Sequence, residues 1–174
     1  NHLIIVVHAA LHHLYSPHRG LLEMYRVAKK GVIVFEARDS SFMRFISNFN
    51  KNINYEISLI TKDGKSGGVA NTGIPNYVYR WTERDVVKCI NSFAPHLEHK
   101  VEFNYGNAIS SFNSLFKVKN VLELFLGITF QIYRISTLLL KKQNNLFCFF
   151  IRKQDAVKQS WIKTENGLVL FSNN

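Results

Sequence analysis

The chain has few cysteines, few acidic residues and no long uninterrupted apolar run. Its two cysteines, Cys89 and Cys148, are too few for a four-thiolate zinc site. Because both lie in apolar, periodic segments, we expect two buried free thiols in a reducing compartment. The apolar run at residues 3–7 has no basic flank before it and no cleavage site after it, so we expect no signal peptide. These features favour a cytoplasmic protein.

The shortage of acidic residues leaves a strong positive charge. Asp and Glu number 12 against 22 Lys and Arg, which gives a formal net charge of +10. The basic residues are scattered, and no arginine-rich run or aromatic-interleaved motif accompanies them, so we do not expect nucleic-acid binding. The alternative is a solvated basic face that could meet an anionic membrane or an acidic substrate.

The beginning of the chain predicts a strand, a helix and a second strand. Residues 3–7 form a β-branched apolar run typical of a strand that is buried on both faces. Ser16 followed by Pro17 predicts the start of a helix, and Gly31 predicts its left-handed stop. Residues 32–35 predict the second strand. This βαβ unit indicates an α/β fold with a parallel sheet and a right-handed crossover.

The middle of the chain contains weaker signals. Residues 40–49 predict a short helix, and residues 62–73 are glycine-rich and polar, which predicts a loop. A second helix is expected to begin at Thr82, where Thr82 and Asp85 form a capping-box pattern, and to end before Pro95.

Two further strands and an apolar helical region follow. Residues 100–105 alternate between apolar and polar, which predicts an edge strand, whereas the continuous apolar run 146–151 predicts an interior strand. Between them, residues 112–142 predict one or two core-packing helices. An interfacial membrane helix is the alternative there, because basic residues flank an aromatic-rich apolar stretch. We expect one domain over residues 1–155 and a tail over 156–174.

The beginning of the chain resembles the central part of class I S-adenosylmethionine-dependent methyltransferases. The resemblance rests on His8-Ala-Ala-Leu-His-His-Leu14, on Ser-Pro after it, and on Leu22-Glu-Met-Tyr-Arg-Val-Ala-Lys-Lys-Gly31. In that family an "LHH" loop follows the fourth strand, and "E-x-x-R-V-L-K-P-G-G" closes the next helix before the fifth strand. Here Ala28, Lys30 and Val32 depart from that pattern. Residues 68–84 also resemble a segment of a methyltransferase subgroup from bacterial surface-sugar loci.

This resemblance implies a partial Rossmann-like sheet. The family fold has strand order 3-2-1-4-5-7-6, and our four predicted strands correspond to strands 4-5-7-6 with flanking helices. From the resemblance we expect strands 1–3 to be missing from this chain, together with the Gly-rich cofactor loop that follows the first strand and the acidic residue that follows the second. We therefore expect the chain to be the carboxyl-terminal half to two-thirds of a methyltransferase, inactive by itself.

The resemblance and the titratable residues together suggest a site. His12 or His13 is the expected base, with the other packing structurally, because histidine titrates near neutrality. A metal site is the rival for the four clustered histidines, but no Asp, Glu or Cys lies beside them in the sequence, so we predict none. The cofactor contacts implied by the resemblance are His8, Ala9 and Leu11. The expected acceptor contacts are Glu36, Arg38, Tyr77, Tyr79 and Arg80.

Each acceptor contact also has a structural alternative. Glu36 and Arg38 could form an ordinary salt bridge, and the residues at 77–81 could pack their loop onto the sheet.

The expected reaction is methyl transfer from S-adenosylmethionine to a small molecule, first to a hydroxyl of a sugar or polyketide-like acceptor. A lipid-like acceptor such as a quinone precursor, reached at a membrane surface, is the second possibility. A non-catalytic remnant or binding module is the third. The residues do not indicate an oligomeric state.

If the cofactor half lies outside this chain, the chain alone should bind S-adenosylmethionine poorly. Isothermal titration calorimetry of the purified chain is expected to show poor binding, weaker than micromolar. Micromolar affinity, equivalent to roughly 8 kcal/mol of binding free energy, would contradict this expectation.

Overall fold

The fold is built around a four-stranded mixed sheet with helices packed against it. A computed structural model describes residues 3–49, 51–107, 121–165 and 168–171. The sheet strands are β1 (Ile4–His8), β2 (Gly31–Ala37), β3 (Leu97–Gly106) and β4 (Leu146–Lys158). The helices in the described ranges are α1 (Pro17–Val27), α2 (Ser41–Phe49), α3 (Glu83–Phe93) and α4 (Val121–Leu139). The chain is therefore of the α/β class.

The strands lie in the order β1-β2-β4-β3. β1 and β2 are parallel, with Val6 opposite Ile33, whereas β4 runs antiparallel to both of its neighbours. Phe149 of β4 pairs with Val34 on one side and with Phe103 on the other. The predicted interior position of residues 146–151 and the edge position of residues 100–105 are thus confirmed.

Two strand predictions need correction. β1 lies at an edge of the described sheet with Ile4 and Val6 exposed, so the expectation of a strand buried on both faces is wrong. β4 continues to Lys158, seven residues beyond the expected end at Ile151. A separate antiparallel hairpin of β5 (Ile162–Glu165) and β6 (Leu168–Phe171) lies within residues 156–174, for which no strand was predicted. The continuous apolar run underestimates the length of β4, because the last part of the strand carries polar residues. Backbone pairing with Leu97 and Glu98 extends the strand there.

The predicted helix starts are confirmed, but one helix end is not. The Ser16 hydroxyl accepts a hydrogen bond from the Arg19 amide at 3.3 Å, and the Thr82–Asp85 capping box is complete. However, α1 ends at Val27 rather than at Gly31.

Gly31 does not supply the left-handed stop. Its backbone is not left-handed, and it is the first residue of β2. A Cβ atom built on Gly31 would lie 2.4 Å from the carbonyl oxygen of Ile151. Glycine is therefore needed there for the close approach of β4.

The main core lies between the sheet and helices α1 and α3. Trp81, which is fully buried, contacts Phe149 at 6.2 Å between ring centroids. The other core members come from these elements and from the segments next to them: Leu11, Leu21, Tyr25, Ala28, Val32, Val34, Val86, Cys89, Ile90, Phe147 and Ile151. Cys89 is buried and Cys148 partly buried, and both are free thiols whose pKa is raised by burial.

A smaller packing contact joins α2 to α4. The Phe42 and Tyr133 rings stack with centroids 3.6 Å apart, and Phe130 lies beside Tyr133. α4 falls within the predicted helical region 112–142, of which residues 112–120 lie outside the described part of the chain. Among the described helices, none is long and apolar enough to cross a lipid bilayer.

Candidate functional site

The candidate site lies at the carboxyl ends of β1 and β2. Parallel neighbours end at the same edge of a sheet, and ligands of open α/β sheets bind at that edge. After His8, the chain turns at Ala9, whose φ of 47° is left-handed and whose amide donates to the Phe35 carbonyl at 2.8 Å. A short 3-10 turn, Leu11–His13, follows and faces the end of β2.

Glu36 joins this turn to β2. Its side chain is fully buried. Oε1 accepts a hydrogen bond from the Leu11 amide at 2.7 Å, and Oε2 lies 2.8 Å from His12 Nδ1. A buried carboxylate must be paired, so His12 donates from Nδ1, and in the neutral ring the lone pair is therefore on Nε2. The sequence predicted both residues at the site but did not predict this pairing.

Glu56 reaches the same two histidines from a distant segment. Residues 54–56 pair with residues 76–78, through the Glu56 amide to the Asn76 carbonyl at 3.0 Å and the Val78 amide to the Asn54 carbonyl at 2.9 Å. Glu56 Oε1 then lies 3.4 Å from His12 Nε2, and Oε2 lies 3.5 Å from His13 Nε2.

Asn76 holds two members of this group in place. Its Nδ2 donates to His13 Nδ1 at 2.6 Å and to Glu56 Oε2 at 3.1 Å. Asn76 is buried, and its Oδ1 has no hydrogen-bond partner among the described residues. We call His12, His13, Glu56 and Asn76 the histidine cluster. Sequence reasoning missed Glu56 and Asn76; the only available signal was that Asn76 lies within the family-like segment 68–84.

The carboxylates control the charge of His12. Burial by itself would lower the pKa of His12, but the hydrogen bond and charge of Glu36, together with the charge of Glu56, outweigh it and raise that pKa. The His12 and His13 rings are 4.5 Å apart. His13 is more accessible, with 36% of its side chain exposed, against 5% for His12 and 26% for Glu56.

The other predicted cofactor contacts lie near the cluster but differ in exposure. His8 and Ala9 are exposed, and the His8 ring lies 5.9 Å from that of Phe35. Leu11 is buried in the core. The His18 ring packs against Tyr79 and Trp81, with its centroid 4.8 Å from the centroid of each.

Arg38 belongs to a different network from Glu36. Its Nη2 donates to the two Glu83 carboxylate oxygens at 2.8 and 3.0 Å, and its Nη1 donates to the Lys142 carbonyl. The guanidinium lies 5.2 Å from the centre of the Tyr105 ring. The alternative of a Glu36–Arg38 salt bridge is therefore wrong, since each residue has its own partner.

The predicted acceptor residues Tyr77, Tyr79 and Arg80 line a cavity of about 360 Å³. Arg80 is positioned by donating to Asn54 Oδ1 at 2.7 Å and to the Ile53 carbonyl at 2.8 Å, and burial lowers its pKa. The cavity wall also includes charged residues, namely Asp39, Arg44 and Asp85. Since Asn76 and Tyr77 are adjacent, the segment 76–80 contributes to both the histidine cluster and the cavity.

Comparison of the chain with protein-family models, curated proteins and solved structures finds no match.

The Arg38–Glu83 pair should stabilise the fold in a pH-dependent way. Burial would raise the pKa of Glu83, but hydrogen bonds from Arg38 and Tyr105 outweigh it and lower that pKa. The contribution is therefore present above the unfolded pKa of about 4.3 and is lost as the pH falls through the lowered folded value. We expect Glu83→Gln to lower the free energy of unfolding by about 2 kcal/mol at pH 7, because it leaves buried Arg38 poorly paired.

Urea unfolding at pH 7 and again near pH 3 checks this expectation. Glu98→Gln, at an exposed position of β3, is the matched control and should change stability little. Equal stability of Glu83→Gln and the parent chain at pH 7, or a deficit that grows in acid, would contradict the assignment.

Proposed function

We propose that this protein is an S-adenosylmethionine-dependent methyltransferase that acts on a hydroxyl of a small molecule, with a sugar as the favoured acceptor class. The observation that carries the proposal is the His12–Glu36 hydrogen bond at the carboxyl edge of β1 and β2. The order β1-β2-β4-β3, with antiparallel β4, supports it, because this is the order that the sequence resemblance implies for family strands 4-5-7-6.

The cofactor, when bound, supplies an electrophilic methyl group, so the acceptor hydroxyl must lose a proton. Glu36 holds His12 with Nδ1 protonated, and Nε2 is the proton-accepting atom. Because Nε2 is buried, the proton reaches it through Glu56, whose Oε1 lies 3.4 Å away and whose side chain is partly exposed. His8 and Ala9, exposed at the end of β1, are the residues that contact the cofactor in this proposal.

The cavity beside segment 76–80 suits a polyhydroxylated acceptor. Tyr77 and Tyr79 provide rings and hydroxyls, while Asp39 and Asp85 provide acceptors for sugar hydroxyls. Burial raises the pKa of Asp39 despite the nearby charge of Arg44. Arg38 is left out of the acceptor site, because Glu83 already binds its guanidinium.

A second candidate function, action on a lipid-like acceptor at a membrane surface, is favoured by the exposed face of α4. Apolar side chains recur there at intervals of three and four residues, which places them on one face. The helix is followed by two exposed lysines, Lys141 and Lys142, on a chain of net charge +10, so the matching partner is an anionic lipid surface. The exposed residues are Val121, Leu124, Phe125, Ile128, Ile132, Ile135, Leu138 and Leu139.

Methyl transfer is tested with the protein expressed from the whole open reading frame that contains this chain. Formation of S-adenosylhomocysteine is measured with a panel of methyl glycosides. We expect His12→Asn to lower kcat by about 10²–10⁴-fold, because a general base is lost. His96→Asn, at an exposed position, is the control and should leave kcat unchanged.

Three results would count against the proposal. These are the absence of cofactor binding by calorimetry, turnover unaffected by His12→Asn, and cofactor binding without turnover of any acceptor, which would indicate a non-catalytic binding module.

Membrane contact is tested by sedimentation with vesicles of phosphatidylcholine alone or mixed with phosphatidylserine. Ile135→Asp should weaken binding to the anionic vesicles by about tenfold or more, because it places a charge in the apolar face. Ile74→Asp is the matched control, since Ile74 and Ile135 are 64% and 65% exposed.

Equal binding of the two variants would reject the α4 surface as a membrane contact. If light scattering instead shows a dimer that Ile135→Asp dissociates, and neither vesicle binds, a second copy of the chain covers α4 and the lipid proposal fails.

A further inference from the structure

We propose that His12, His13 and Glu56 form a binding site for a divalent transition-metal ion of the zinc type. Sequence spacing led us to expect no metal ligands, because no acidic residue is adjacent to the histidines. The tertiary structure supplies one from the segment 54–56, which is more than 40 residues further along the chain. The inference does not depend on methyl transfer.

The first support is the spacing of the donor atoms. One donor atom from each of the three residues can be chosen so that all lie within 4.8 Å of one another. Zinc bonds of about 2.0–2.1 Å in a tetrahedron place neighbouring donor atoms about 3.4 Å apart. Glu56 Oε1 lies 3.4 Å from His12 Nε2, so one edge of the tetrahedron is already present, and the other oxygen of the same carboxylate, Oε2, lies 3.5 Å from His13 Nε2.

The second support is the buried Nε2 atom of His12. It has no hydrogen-bond partner among the described residues, and it faces a Glu56 carboxylate oxygen at 3.4 Å. A divalent cation between this nitrogen and the carboxylate would bind both atoms. The imidazole cannot turn away, because Glu36 holds Nδ1 at 2.8 Å.

The third support is the set of groups behind the ligands. Metal-binding histidines usually donate their second N–H to a carboxylate or carbonyl, which fixes the ring and raises its basicity. Glu36 does this for His12. The group beside His13 is Asn76, whose Nδ2 lies 2.6 Å from His13 Nδ1 and 3.1 Å from Glu56 Oε2 and so holds these two ligands next to each other.

The donor set defines the class of ion. Two imidazole nitrogens and one carboxylate suit zinc, iron(II), cobalt(II) or nickel(II), whereas magnesium and calcium prefer oxygen donors alone. Three protein ligands leave a position for a water or a hydroxyl. Since His13 and Glu56 are partly exposed, that position opens toward solvent. An ion there would compete with a proton for His12 Nε2 and would itself lower the pKa of a bound hydroxyl.

The test is zinc binding by calorimetry on the full chain after treatment with EDTA. We expect one zinc ion per chain, and at least about tenfold weaker binding in both His13→Ala and Glu56→Gln, since removing even a supporting group typically costs 10–100-fold. His96→Ala and Glu98→Gln, both at exposed positions away from the cluster, are the matched controls and should bind zinc like the parent chain.

Near-UV circular dichroism verifies that each variant is folded. Because two partly exposed ligands are substituted separately, the other variant still tests the site if one of them does not fold. Absence of zinc binding by the parent chain would overturn the inference, as would unchanged affinity in both ligand variants, which would indicate an adventitious ion only. Zinc binding without methyl transfer would support the metal site and reject the proposed function. Methyl transfer without zinc binding would do the reverse.

Discussion

The buried carboxylate of Glu36 is the group on which the organisation of the site depends. Moving a carboxylate out of water is so costly that it is stable only with nearby donors. Here the donors are the Leu11 amide and His12 Nδ1, both from the turn after β1. The turn must therefore fold against the end of β2, and Ala9 takes a left-handed backbone conformation there. The orientation of His12, and with it the direction of Nε2, follows from this contact.

The secondary structure was largely predictable because its signals are local. Ser16 and Thr82 mark helix starts through hydrogen bonds to residues three positions later, and these bonds form as expected. The contrast between the alternating pattern of β3 and the continuous apolar core of β4 correctly predicted edge and interior positions. Gly31 was misinterpreted because a glycine after a helix usually stops it, whereas here the close approach of Ile151 requires the missing side chain.

The site was only partly predictable. Parallel strands end at one edge, so the sequence could place His12 and Glu36 at the same edge of the sheet, although it did not predict their hydrogen bond. Glu56 could not be found in this way, because it lies in an irregular segment whose pairing with residues 76–78 has no periodic signature. The partner of Arg38 could not be predicted from the sequence either. Although it follows β2 closely, its charge is paired with Glu83, the first residue of α3, rather than with Glu36.

The sequence by itself determined the α/β class, the helix starts and the histidine-rich turn after the first strand, because caps, periodicity and residue type act over a few neighbours. Only the tertiary structure decided which charges meet. A buried carboxylate such as Glu36 must find donors wherever the packed chain provides them. Packing likewise brings Glu56 to His13, although the two residues are far apart along the chain. Of the four histidines near the first strand, His12 and His13 both lie against the carboxylate of Glu56, which comes from a distant segment.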